Sequence, residues 1–177
     1  NIPVETIRFL QRFKPVYPDD KLLEIAQNRL KEKKFLNDIG IPTAPWTPCY
    51  KASDISDTLT RWNVSECIVK TARFGYDGKG QVYHKVNSNI QETWSALNTN
   101  EAVIEGIIDF TCEVSIIIGR DRLGQTAAYP AVMNEHKSHI LSKTHAPAPI
   151  SKKLALKASD IAHNLAEALD LTGVMAI

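Results

Sequence analysis

Cysteine is scarce in this sequence: Cys49, Cys67 and Cys112 stand far apart and odd in number. No Cys-x-x-Cys pair occurs, so neither a thiolate zinc site nor a disulfide framework is indicated, and buried thiols in a reducing cytoplasm are the expectation. Long apolar runs are missing as well. None approaches the roughly 20 residues of a membrane span. The opening stretch Asn1-Ile2-Pro3-Val4-Glu5 lacks the basic start and apolar run of a secretion signal. No sign of charge dominates, since 21 Lys and Arg face 20 Asp and Glu for a net +1. A broad electrostatic face for nucleic acid or an anionic membrane is therefore excluded, and any polyanion has to be met by a local site. No GxSxG elbow appears, and no His/Cys/Asp spacing makes a metal site, so no metal ligand is assigned within the chain.

What is present is an ordinary folding composition, 44% hydrophobic and 23% charged over 177 residues, enough for one domain or two small lobes. Val4 to Phe13 fits one helical face through Val4, Ile7 and Leu10. Asp19-Asp20 opens a second helix that restarts through Phe35, Leu36 and Ile39 and stops at Gly40 and Pro42. Thr43 to Tyr50 reads as an extended, Pro-interrupted edge strand, and Ser53 to Trp62 as a short helix. Strands are expected at Cys67–Ala72, Gln81–Val86, Ala102–Ile108, Glu113–Gly119 and Thr126–Met133, with a helix at Asn89–Leu97. His139 to Pro149 reads as irregular. Ser151 to Leu171 is expected as a long amphipathic helix burying Leu154, Ala158, Ile161, Leu165, Ala168 and Leu169. The class is α+β in two small lobes with a boundary near Asp109: a tail over 1–18, one lobe over 19–108 and part of a second over 109–177. Both ends look cut, because Asn1-Ile2-Pro3 is an awkward start and Gly173 to Ile177 reads as the first half of a buried strand.

Three of the eight glycines fall within six residues, in Gly75-Tyr76-Asp77-Gly78-Lys79-Gly80-Gln81, between two expected strands. Glycine lets the backbone approach a ligand closely, and successive N–H groups can cradle phosphate oxygens. The pattern is neither a Walker A loop nor a Rossmann fingerprint, since strand leads to strand and no Gly-Lys-Ser/Thr opens a helix. A β-hairpin with an Asp77-Gly78 turn explains the same residues. Lys70, on the strand entering the loop, is either a phosphate contact or a lysine on a half-exposed strand. Glu105, followed by Gly106, Ile107 and Ile108, and then Glu113, are either solvated acids or, with an apolar linker, an adenine and ribose site. His136 is either a satisfied structural histidine or a site residue.

These residues, with Ile25-Ala26-Gln27-Asn28-Arg29-Leu30, Gly40-Ile41-Pro42-Thr43-Ala44-Pro45, Val69-Lys70-Thr71, Tyr129-Pro130 and Ala146-Pro147-Ala148-Pro149, stand in an order that resembles the carboxyaminoimidazole ribonucleotide synthetases, an ATP-grasp family of purine biosynthesis. The resemblance covers essentially the whole chain, and the glycine loop is its most specific part. It implies an ATP-grasp fold with ATP between two α+β lobes. It also implies an ATP-dependent carbon–nitrogen ligase that joins bicarbonate to aminoimidazole ribonucleotide, working as a homodimer at full length, without nucleic acid or membrane. By that resemblance Arg29 and Lys70 meet the nucleotide, Lys70 on its phosphates. Gly75, Tyr76, Asp77, Gly78, Lys79, Gly80 and Gln81 form the phosphate and substrate loop. Glu105, Gly106, Ile107 and Ile108 hold adenine, Glu113 the ribose, and His136 joins the nucleotide site. Asp77 and Tyr76 are the catalytic candidates, serving the amine acceptor; an Asp-Gly turn is the other account of Asp77. The family's Mg²⁺ ligands are expected beyond Ile177, and its N-terminal domain only as a tail up to about Pro18, so the chain alone is expected to bind nucleotide without turning over. Rival expectations are another ATP-grasp ligase, of the glycinamide ribonucleotide transformylase or biotin carboxylase type, or a non-catalytic ATP-binding module.

Overall fold

The computed structural model describes residues 2–75 and 79–177. In chain order its elements are α1 (Val4–Gln11), α2 (Asp20–Ala26), α3 (Arg29–Asp38), β1 (Trp46–Cys49), α4 (Ser53–Trp62), β2 (Glu66–Thr71), β3 (Gln81–Lys85), α5 (Ile90–Leu97), β4 (Ala102–Glu105), β5 (Glu113–Ser115), β6 (Ile117–Arg120), β7 (Thr126–Ala128), β8 (Val132–Lys137), β9 (Ile140–His145), α6 (Lys152–Ala168) and β10 (Gly173–Ala176). The chain divides into two compact units, Ile25–Asp109 and Asn1–Glu24 with Phe110–Ile177. Among the described residues no helix is long and apolar enough to cross a membrane.

The unit Ile25–Asp109 is built on a four-stranded antiparallel sheet in the order β1-β4-β2-β3. Period-two alternation sends Cys67, Val69 and Thr71 of β2 inward and leaves Glu66, Ile68 and Lys70 on the other face. Cys67 and Val69 of that set join Cys49, Ile55, Leu59, Leu97, Ala102 and Ile104 in one core. Amphipathic α4 supplies Ile55 and Leu59, and α5 supplies Leu97. Burial pushes the Cys49 thiol to about 12 and that of Cys67 to about 11, as inert core thiols require. Cys112, expected to be buried, is only half-buried. The helix expected from Asp19 onward breaks earlier than its apolar pattern suggests. Buried Asn28 accepts from the N–H groups of Leu30 and Lys31, caps α3 and so starts a new helix.

The second unit holds two three-stranded sheets, β10-β6-β7 and β5-β8-β9. Leu22, Ile116, Ile118, Ala131, Ala162, Ala166 and Leu171 form its core. Several expected strands are cut here. The stretch Glu113–Gly119 is two strands in different sheets, because Ile116 exchanges both backbone hydrogen bonds with Ile177 (2.9 Å each). Thr126–Met133 breaks at Tyr129-Pro130, where proline has no N–H for a ladder. Residues 140–145, expected to be irregular, form β9 against β8; they are mostly exposed, so no apolar alternation marks them. In the unit Ile25–Asp109, likewise, the strand expected to run to Ile108 stops at Glu105, after which Gly106 N–H donates to the Pro45 carbonyl (2.8 Å). In α6 the stripe is rotated: Ala162, Leu165 and Ala166 are buried, while Leu154 (43% exposed) and Ala168 face outward. The strand at Gly173–Ala176 alternates instead of being buried throughout, with Val174 66% exposed.

Candidate functional site

Antiparallel register brings Ile68 opposite Glu105 and Lys70 opposite Val103, so Lys70 and Glu105 sit diagonally on the sheet face turned away from the main core. Glu105 is 8% exposed. Its two oxygens are divided between two cations: Lys70 Nζ donates to Oε2 at 2.9 Å, and Lys33 Nζ of α3 lies 3.2 Å from Oε1. Burial pushes the Glu105 carboxyl up, but the Lys70 hydrogen bond and charge, together with those of Lys33, outweigh it and hold the group below its ordinary value. A carboxylate this buried is tolerated only when paired, since the effective cost of desolvating an ion is several kcal/mol. Glu105 is therefore not a solvated acid at a strand end.

The base of the glycine loop closes against the same corner. The Thr71 N–H donates to the Gly80 carbonyl (2.8 Å), and the Arg29 N–H to the Ala72 carbonyl (2.9 Å). Gly80 has φ +70°, and a Cβ there would lie 2.6 Å from Thr71 Oγ1. A Cβ on Gly75 would lie 2.9 Å from the Arg29 guanidinium. Gly80 is thus required by backbone and packing around Thr71, whereas a side chain at Gly75 meets only the mobile end of Arg29. The strands on either side do form a hairpin, with Lys70 opposite Gln81, and Lys79 lies exposed beside Gly80. Among the described residues, buried Arg29 Nε and Thr71 Oγ1 have no hydrogen-bond partner, which in a native site asks for a ligand, a water or a loop atom. Tyr76, Asp77 and Gly78, including both catalytic candidates, lie outside the described residues.

Sequence reasoning did not pick out Lys33, Glu32 or Thr71. Lys33 and Glu32 were visible as the i+4 and i+3 neighbours of Arg29 on one helix face. Burial raises the Glu32 carboxyl, while Arg29 and Lys33 pull it down and Glu105 pushes it up. Arg29, Lys33, Lys70 and the two acids thus form one mutually sensing charge group. Residues 106–108 follow directly, with Ile107 and Ile108 exposed.

In the other unit the register of β5 on β8 brings together the remaining two candidates. His136 Nδ1 lies 2.8 Å from Glu113 Oε2, with side chains 34% and 49% exposed. Next to them Asn134 donates to Ser115 Oγ and accepts from Thr144 Oγ1. Mg²⁺, which the resemblance implies, finds no group of three His, Cys, Asp or Glu among the described residues, and no step is assigned to it.

The ATP-grasp domain family matches residues 34–177. The chain is 38% identical over 182 residues to the N5-carboxyaminoimidazole ribonucleotide synthase of Brucella melitensis biotype 1, covering 100% of the chain and 49% of that protein. A crystal structure of N5-carboxyaminoimidazole ribonucleotide synthetase from Thermus thermophilus superposes with a TM-score of 0.89 at 38% identity, over 99% of the chain and 47% of the other. The Staphylococcus aureus N5-carboxyaminoimidazole synthetase complexed with ADP gives a TM-score of 0.89 at 28% identity, over 99% and 46%. The chain spans about half the length of these proteins.

Proposed function

This chain belongs to the ATP-grasp family, and from that premise we propose that it serves the ATP-dependent carboxylation of aminoimidazole ribonucleotide by bicarbonate in purine biosynthesis. The observation that carries this reading is the loop corner of the sheet. There Lys33 and Lys70 gather around Glu105, Arg29 acts on neighbouring Glu32, Gly80 is held by its positive φ and by Thr71, and Arg29 Nε and Thr71 Oγ1 have no described partner. Relatives named for this reaction, one of them complexed with ADP, support it.

In this reading Lys70 keeps one donor on Glu105 and offers the other two to nucleotide phosphate oxygens, with Arg29 and the loop Gly75–Gln81 on the same anion. Residues 106–108 read the adenine edge through their backbone. Glu113, steadied by His136, accepts from the ribose hydroxyls. The unit Ile25–Asp109 is then the small lobe and Phe110–Ile177 part of the large one. Bicarbonate is a poor electrophile. Transfer of the γ-phosphoryl group to it gives carboxyphosphate and ADP, and attack by the exocyclic amine on the carboxyl carbon releases phosphate. The protein's share is positioning and charge neutralisation. Asp77, with Tyr76 beside it, takes the proton of the amine as the new C–N bond forms. The enzyme works in the cytoplasm as a homodimer.

The tests are made on the full-length protein, calorimetry first. Lys70→Ala is expected to weaken ATP and ADP by about tenfold or more while adenosine changes little. An equal loss for all three ligands overturns the phosphate assignment. In a phosphate-release assay with bicarbonate, aminoimidazole ribonucleotide is the expected acceptor; preference for glycinamide ribonucleotide or biotin overturns the substrate.

A further inference from the structure

Lys70 Nζ and Lys33 Nζ bind different oxygens of one carboxylate, Oε2 at 2.9 Å and Oε1 at 3.2 Å. The geometry points to Lys33 as a positioning residue for phosphate binding, one that acts through Glu105 and not on the ligand. This rests on the reading above that Lys70 meets the phosphates.

A buried carboxylate paired with a single lysine is a neutral unit with no net attraction for an anion. It also draws that lysine's charge inward, away from the ligand. Here Glu105 is shared. Lys33, with only 13% of its side chain exposed, neutralises the acid from the α3 side, so the three groups together carry one net positive charge. The exposed end of that charge is Lys70, whose side chain is 23% exposed against 11% for Glu105. Holding Oε1 also fixes the rotation of the carboxylate, and with it the point beneath which Lys70 is anchored. Lys33 reaches Glu105 from α3, whose start is set by the Asn28 cap.

The experiment is a double-mutant cycle on the full chain, read by ADP and adenosine calorimetry. Lys33→Met is expected to weaken ADP by about tenfold and adenosine by less than about twofold. Lys33→Arg, which keeps the charge, is expected to stay within about threefold of the parent. In a Glu105→Gln background the further loss of ADP affinity from Lys33→Met is expected to shrink to less than about a third. A full-size loss persisting in that background overturns the inference, because Lys33 then acts on the ligand directly. Equal losses of ADP and adenosine, or Arg failing as badly as Met, overturn it too. If Lys33→Met alone does not fold, the pair in Glu105→Gln has no unpaired carboxylate, and there it must bind ADP about as Glu105→Gln does. Lys70→Ala in the same titration separates the two failures. Loss with Lys70→Ala but none with Lys33→Met sinks only this inference, whereas no phosphate-selective loss with Lys70→Ala sinks the parent reading.

Discussion

The two units each pair a glutamate with a basic side chain at a candidate nucleotide position, and the pairs are alike in distance and unlike in setting. Glu105 meets Lys70 at 2.9 Å and Lys33 at 3.2 Å with 11% of its side chain exposed, whereas Glu113 meets His136 at 2.8 Å with 49% exposed. In the first setting water cannot replace a lost partner, so the pairing is part of the fold. In the second it can, and the acid is free to exchange its histidine for another donor at little cost. A short ion-pair distance therefore says nothing about what a pair is worth until burial is added. The contrast also divides the proposed labour: a rigid, pre-set charge group for phosphates, and a lightly held acid for hydroxyls.

The sharpest way to break this comparison is to delete each acid in turn. Glu105→Ala leaves Lys33 and Lys70 without the buried carboxylate that pairs them and is expected to cost about 3 kcal/mol or more in urea denaturation. Glu113→Ala is expected to cost less than about 1 kcal/mol. Equal losses would show that burial does not separate the two pairs.

Within the first unit, the loop glycines extend the comparison from charge to packing. Gly80→Ala puts a Cβ at φ +70° and 2.6 Å from Thr71 Oγ1, so both backbone and space oppose it. A loss of about 1–3 kcal/mol is expected. Gly75→Ala meets the far end of the Arg29 side chain at 2.9 Å, which can move aside. Its cost is expected to stay under about 1 kcal/mol, with a larger effect on ADP affinity than on stability. If Gly75→Ala proves the more damaging for folding, Arg29 is held more firmly than this geometry allows.

Acidification gives the smallest and broadest effect. The Glu105 carboxyl lies below its ordinary value in the folded chain, so the stability it contributes is present above that ordinary value and lost as pH falls through the lowered one. Buried His84, hydrogen-bonded to Thr93 and held below its usual range by burial, has the same sign and begins to act at its own higher ordinary value. Glu32 is raised and opposes both: its share is present at low pH and lost as pH rises through its folded value. Denaturation of the parent against pH should therefore fall in two stages on the acid side. Glu105→Gln should shrink the lower stage, which Asp20 beside Arg8 and Glu135 beside His145 also feed, and leave the His84 stage in place. A single unchanged profile in that variant would detach Glu105 from acid stability.

The sequence was most readable where the chain's own short-range chemistry decides. The strand Glu66–Thr71 and the helices at Ser53–Trp62 and Ile90–Leu97 all follow from alternation and apolar period. The candidates Arg29, Lys70, Gly75, Gly80 and Glu105 were visible as residue types in a familiar order. Less readable were strands whose side chains meet water on most sides, such as Ile140–His145, and long apolar stretches cut by a partner strand, as at Ile116. Neither leaves a local mark, because exposure removes the apolar alternation and the cut is made by Ile177, far along the chain. The role of Glu105 belongs to this second kind. Read along the chain it is an acid at the end of an apolar strand, next to solvent in every local respect. Only antiparallel register sets Lys70 diagonally across from it, and only the helix started by Asn28 brings Lys33 to its other oxygen. Sequence alone determined which groups were available and on which face of each element they lay. Tertiary structure decided which of them share a low-dielectric corner, because charge interactions depend on distance and burial, and neither is written in the order of the residues.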